Sequence, residues 1–170
     1  MPSDQAVSLQ VPGLAPAPSL YLHGAEDRHV SSSIRQQGIW EPYETALMLA
    51  LLRPAGVFVD VGANIGYFSI VAACQLGAAG QVFAFEPGPD NFRLLQRSAE
   101  LNRFSDRIHA VEAGLAAQQG EARLFLSEDN LGDHQIFSTG EGRSSTAIRL
   151  VNGADYLGSK LDRIDLLKID

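Results

Sequence analysis

Residues 57–61, Val57-Phe58-Val59-Asp60-Val61, form a short apolar run that enters the turn Gly62-Ala63-Asn64-Ile65-Gly66 and then a second apolar stretch from Tyr67. A run of this length flanked by glycines predicts a strand buried on both faces, as in a parallel sheet. The helix that follows at residues 67–75 makes the turn a strand-to-helix connection. In an open parallel sheet such a connection sits at the carboxyl end of its strand, where ligands bind.

The pattern repeats downstream. A second strand at residues 81–86 stops at Pro87-Gly88-Pro89, and a helix at 90–102 carries Phe92, Leu94, Leu95, Ala99 and Leu101 on one face, with Asp90 as its expected cap. A third strand follows at 108–113. Strand, helix, strand, helix, strand predicts an α/β fold with a doubly wound, mostly parallel sheet. Beyond Gly114, short strand-like pieces at 122–126 and 145–151 flank a polar loop at 127–143 and predict an antiparallel β addition, a hairpin or a decorated edge of the sheet. Residues 164–170 read as a fourth core strand ending on Asp170.

The amino-terminal part follows other rules. Residues 1–19 hold Pro2, Pro12, Pro16 and Pro18 among small and polar residues, a composition that predicts a flexible tail. Residues 20–56 form an amino-terminal helical segment whose main helix, residues 43–52, carries enough leucine and alanine to lie on the sheet. The core then spans residues 57–170. Apolar residues make up 45% of the 170, enough for one domain with its own core.

Charge and cysteine content narrow the function. A formal charge of −7 with scattered arginines supplies no field for polyanions, so nucleic acid is not an expected partner. The lone Cys74 rules out an intrachain disulfide and reads as a small buried hydrophobe. With no apolar run near the ~20 residues that span a bilayer and no secretory pattern at the amino terminus, the expectation is a soluble cytoplasmic protein without a membrane partner. Oligomeric state is not readable. Asp129, Asp133 and His134 lie close together but match no metal-ligand spacing, and no metal is expected.

Three polar points fall at strand ends: Asp60 with its glycine turn, Glu86 and Asp170. Glycines at 62 and 66 allow a tight turn, a close ligand approach and exposed N–H groups that favour an anion. Glu86 stands about two dozen residues beyond Gly62, near the ~20-residue interval at which an acid meets a ribose diol. The turn lacks the G-x-G-x-x-G spacing of dinucleotide sites, and Asp60 is placed to meet an amine. An acid for an amine, amides for a carboxylate and an acid for a ribose describe S-adenosylmethionine better than NAD. An acceptor that loses a proton as it takes the methyl group would also need a base, for which Asp170 is the first candidate and His134 the second. His23, His29 and His109 have no partner visible in sequence.

The ordered set Val59-Asp60-Val61-Gly62-Ala63-Asn64-Ile65-Gly66-Tyr67-Phe68-Ser69, Val82-Phe83-Ala84-Phe85-Glu86-Pro87-Gly88-Pro89 and Leu167-Lys168-Ile169-Asp170 resembles the signatures of the FkbM-type methyltransferases. Gly38-Ile39-Trp40-Glu41 and Asn130-Leu131-Gly132-Asp133-His134 are similar to that family as well. The resemblance implies a class I, Rossmann-like fold, S-adenosylmethionine as donor, and methylation of a hydroxyl on a sugar or natural-product small molecule. It further implies that Asp60, Gly62, Ala63, Asn64 and Gly66 line the methionine part of the cofactor, that Glu86 holds the ribose, and that Ala113, Gly114 and Leu115 approach the adenine. The family pattern continues past residue 170, so the chain reads as a core truncated after its fourth strand. A noncatalytic nucleotide-binding or interaction module with the same fold is the alternative reading.

Overall fold

The computed structural model describes residues 5–125 and 144–170. His134 and the Asn130–His134 motif lie outside the described residues. In chain order the elements are β1 (Gln5–Ser8), β2 (Ser19–Leu22), α1 (Val30–Gln37), α2 (Pro42–Leu51), β3 (Val57–Val61), α3 (Tyr67–Leu76), β4 (Gln81–Phe85), α4 (Pro89–Leu101), β5 (Ile108–Val111), β6 (Gly114–Ala116), β7 (Gly120–Phe125), β8 (Ser145–Asn152), α5 (Gly153–Gly158) and β9 (Leu166–Ile169).

The main sheet has the order β5-β4-β3-β9 with every pairing parallel. Chain order runs one way from β3 to β5 and resumes at β9 on the opposite side of β3. The direction of winding therefore reverses between β3 and β9, which places a crevice at their carboxyl ends. Alternate residues of the strands supply two cores. Phe58, Val82, Ala84 and Ile108 pack under α3 and α4, whereas Val59, Phe83, Phe85 and Val111 pack with Val151, Leu115, Tyr156 and Leu157 on the other face. Period-two alternation with both faces covered is why these strands read as continuous apolar runs.

Local chemistry sets the helix boundaries. Pro42 and Pro89 open α2 and α4, where a missing N–H costs nothing. The cap of α4 is Gly88 rather than the expected Asp90, which lies in the first turn, where its charge complements the helix dipole. At the far end of α3, Arg107 donates to the carbonyls of Ala73 and Gly77 and satisfies groups the helix leaves open.

Three further expectations change. The described part of residues 1–19 is not a tail: β1 pairs antiparallel with β2, and Leu9 and Val11 are buried in the main core. Four apolar anchors, Leu9, Val11, Leu20 and Leu22, outweigh the prolines between them. The addition after β5 contains the expected antiparallel pair β7–β8, but with β6 parallel to β8 it forms a separate three-stranded sheet instead of an edge of the main one. On α2, Thr45 and Met48 face inward while Tyr43, Leu47 and Leu51, spaced by four, face outward. Cys74 is half-buried. Among the described residues no helix is long and apolar enough to cross a membrane.

Candidate functional site

The carboxyl ends of β3, β4 and β9 converge on a cavity of about 260 Å³. Gly62, Asn64, Glu86, Gly114, Leu115 and Asp170, six of the residues singled out in the sequence, line it. Phe85, Leu124 and Ile169 contribute apolar wall, and Asn91 of α4 adds a polar group. Ala63 lines a smaller adjoining cavity with Trp40 and Lys168, and Gly62, Asn64 and Asp170 border both.

Glu86 is the best-defined polar group of the larger cavity. Its Oε2 accepts the Asn64 N–H at 2.7 Å and its Oε1 the Gly88 N–H at 2.8 Å, so the carboxylate bridges the β3 turn and the approach to α4. The Asn91 side chain adds a third hydrogen bond. Burial nevertheless dominates and pushes its pKa up to about 7, with the three hydrogen bonds pulling the other way.

The glycine turn differs from expectation in one respect. Gly62 and Ala63 donate their N–H groups to the Phe85 carbonyl, Asn64 to Glu86, Ile65 to the Asn64 side chain and Gly66 to the Ala63 carbonyl. All five amides are thus spent inside the protein and none is left to receive an anion. The turn is too tight to expose them, with positive φ at Gly62, Asn64 and Gly66. Gly62 serves close approach instead: a Cβ there would lie 3.3 Å from the Cβ and carbonyl oxygen of Asp170. Gly66 faces Leu95 of α4, so its lack of a side chain serves helix packing.

Asp60 does not reach the larger cavity. It is fully buried on the α3 side of the sheet, where Ser69 Oγ donates to Oδ2 at 2.7 Å and Lys168 Nζ stands 3.8 Å from Oδ1. The place expected for a ligand amine is filled by the ammonium of Lys168. Burial raises the Asp60 pKa against the opposing pull of Lys168 and Ser69. Lys168 also donates to Asp170 Oδ2 at 2.6 Å and lies over the Phe68 ring, so one cation ties both strand-end acids together. Glu41, at the start of α2, belongs to the same neighbourhood: its pKa is raised by burial first and then by Asp170.

Lys168, Ser69, Asn91 and Glu41 were not singled out as site residues. Lys168 carried a legible signal, since it shares a strand face with the position two before it and falls two residues before Asp170. Asn91 carried none, because its role depends on residues far away in the chain. Among the described residues no group of acids, histidines and cysteine could hold a metal ion.

The family model described as the methyltransferase FkbM domain matches residues 60–170. The hexuronic acid methyltransferase AglP of Haloferax volcanii is 28% identical over 126 residues, covering 73% of this chain and 48% of that protein. The 31-O-demethyl-FK506 methyltransferase FkbM of Streptomyces tacrolimicus is 35% identical over 78 residues, 46% of this chain and 29% of that protein. The chain thus spans about half, or less, of the length of these relatives. Among solved structures, the Pyrococcus horikoshii TYW2 in complex with MeSAdo aligns with a TM-score of 0.46 at 24% identity, over 58% of this chain and 34% of that chain. A match of the family model across more than half of the sequence, beginning at Asp60 of β3 and ending at Asp170 beyond β9, makes this chain a member of the FkbM methyltransferase domain family.

Proposed function

We propose that this chain carries the S-adenosylmethionine site of an enzyme that methylates a hydroxyl oxygen on a sugar-like or natural-product small molecule. The observation that carries the reading is Glu86: a buried carboxylate, fixed by two backbone N–H groups, on the wall of a cavity at the point where the winding of the sheet reverses. A carboxylate so placed accepts both hydrogens of a vicinal diol, the group a ribose offers. Phe85, Leu115 and Leu124 give the same cavity an apolar wall suited to a flat base, with Gly114 beside them. The names of the relatives, a hexuronic acid methyltransferase and a 31-O-demethyl-FK506 methyltransferase, support a hydroxylated acceptor.

The donor, when bound, supplies an electrophilic methyl group on a sulfonium. The work of the chain is to align and to manage a proton. Gly62 lets a ligand approach the strand end without meeting a side chain, and Asn64 holds the turn through its bond to Ile65. Ala63 and Gly66 shape that turn, and Asp60 anchors it from beneath through Ser69. Asp170, at the mouth between the two cavities, accepts the hydroxyl proton of the acceptor while Lys168 holds its Oδ2. Alignment of acceptor and methyl contributes most of the rate. His134 remains the second candidate for the proton.

Isothermal calorimetry with S-adenosylhomocysteine, paired with transfer of labelled methyl to a panel of hydroxylated small molecules, tests the reading. Binding that is lost in Glu86→Ala, together with label on an acceptor oxygen, is the expected result. Binding without transfer to any acceptor would favour a noncatalytic module, and absence of binding would remove the reading altogether.

A further inference from the structure

The strand β2 lies along α4 and is held there by side chains. Asn102 accepts the Ser19 N–H at 2.8 Å and donates to the Ser19 carbonyl at 2.6 Å, and Ser98 Oγ accepts the Tyr21 N–H at 2.9 Å. Residues 19 and 21 share one strand edge, and residues 102 and 98 share one helix face. Two residues further along β2's direction comes His23, and near the start of α4 comes Asn91. The third rung joins their side chains, with His23 Nε2 2.6 Å from Asn91 Oδ1.

This rung differs from the others in where it leads. Both side chains are buried, at 6% and 4% exposure, and Asn91 reaches the Glu86 carboxylate on the cavity wall. An amide oxygen only accepts, so His23 must carry its proton on Nε2. With Oδ1 engaged by His23, the Asn91 amide is oriented so that its NH2 group donates to Glu86. The His23 backbone is itself pinned: its N–H donates to Ser31 Oγ at 3.2 Å, its carbonyl accepts Arg35 at 2.7 Å, and Asp27 accepts the Ser31 N–H at 2.8 Å.

We infer that His23 is a positioning residue for cofactor binding, acting through Asn91 to hold Glu86 as a correctly oriented acceptor for a ribose diol. The amino-terminal hairpin thereby becomes part of the binding apparatus although it contributes no wall to the cavity. The inference rests on the reading of Glu86 as the diol acceptor.

Two variants separate reach from chemistry. His23→Gln keeps an N–H at the same number of bonds from Cα as Nε2, whereas His23→Asn carries the same amide one methylene short. Binding of S-adenosylhomocysteine and of its 2′,3′-dideoxy analogue is measured by calorimetry for wild type and both variants. H23N is expected to weaken the diol-bearing ligand by about tenfold, the scale of one hydrogen bond to a charged group, and to leave the dideoxy ligand unchanged. H23Q should restore wild-type affinity. A loss equal for both ligands, or no rescue by H23Q, overturns the inference and leaves His23 a structural residue. Wild type binding the two ligands equally well would instead remove the reading of Glu86, and this inference with it. If H23N does not fold, Asn91→Ala removes the donor from the helix side and carries the same ligand-selective expectation. An unselective loss there is equally decisive against it.

Discussion

Ser69 Oγ donates a 2.7 Å hydrogen bond to Oδ2 of Asp60, a carboxylate with no exposed surface, while Oδ1 has no hydrogen-bond partner among the described residues. Half of a buried acid is therefore satisfied one turn into the helix that follows its own strand. Ser69→Ala removes that half. Loss of a hydrogen bond to a charged buried group costs about 1.5–3 kcal/mol. Asp60 has a raised pKa in the fold, so it contributes stability at low pH that is lost as pH rises through its folded pKa. The Ser69 bond favours the ionised form, hence its removal should cost more at high pH than at low. Urea denaturation of wild type and S69A at about pH 5 and pH 8 checks the sign; an equal loss at both would mean that Asp60 keeps one protonation state throughout.

Lys168 is the counter-charge of the same acid, 3.8 Å from Oδ1 and itself largely covered. Removing one partner of a buried pair leaves the other uncompensated and costs about 3–5 kcal/mol, whereas removing both charges is far milder. Lys168→Met should destabilise the fold most where Asp60 is ionised, and Asp60→Asn in that background should recover most of the loss. A double variant no more stable than K168M would show that Lys168 acts by packing on Phe68 and not by charge.

The centre of the main sheet was legible because β3 and β4, buried on both faces, announce themselves as apolar runs closed by Gly or Pro, and because α4 keeps a 3.6-residue apolar face. Glu86 and Asp170 were legible for a related reason: the ends of such runs are the ends of parallel strands. What was missed depends on partners distant in sequence. The pairing of β2 with α4 joins Ser19 to Asn102, 83 positions apart, and His23 meets Asn91 across 68. No local period encodes such contacts. The prolines near β1 lowered the expectation of order there, and tertiary burial of Leu9 and Val11 overrode it. The internal use of the turn amides was hidden for a similar reason, since it takes the Phe85 carbonyl of a neighbouring strand to claim two of them.

Gly66 caps α3 at φ 89°, and a Cβ there would fall 2.4 Å from Leu95 Cδ1 and 3.3 Å from its Cα. Gly66→Ala combines a left-handed backbone penalty of about 1–2 kcal/mol with overpacking of about 1–3 kcal/mol. Gly62→Ala has the same backbone penalty at φ 77° but only 3.3 Å contacts with Asp170. G66A should therefore be the less stable of the two in thermal denaturation, while G62A should be the more damaging to ligand affinity. The reverse order in both measurements would exchange the packing and binding roles given to these glycines.

Asp170 and His134 compete for one task. If Asp170 takes the acceptor proton, Asp170→Asn lowers kcat by about 10²–10⁴-fold with donor affinity little changed, and His134→Ala leaves kcat within a small factor. Labelled-methyl turnover with calorimetry on each variant separates them. Full turnover by D170N alongside a collapse in H134A would move the base to His134.

Glu86 makes stability and binding respond to pH in opposite directions. Its pKa is raised from 4.5 to about 7 by burial, so between those values the folded chain holds a proton that the unfolded chain has released. Its stabilising contribution is complete below about pH 4.5, falls as pH rises and levels off above about pH 7. A diol donates to the carboxylate and is served best by the anion, so affinity for S-adenosylhomocysteine should climb over the same interval and reach its plateau above about pH 7. Glu86→Gln cannot ionise: its stability should depend less on pH, and it should bind on the order of a hundredfold more weakly, having exchanged one acceptor oxygen for a donor NH2 group and the charge on the other for a neutral amide. Denaturation and calorimetric titrations from about pH 5.5 to 8.5 read both slopes on one protein. Affinity that stays level across this interval in wild type, or falls as the carboxylate ionises, would show that the ligand does not rest on Glu86.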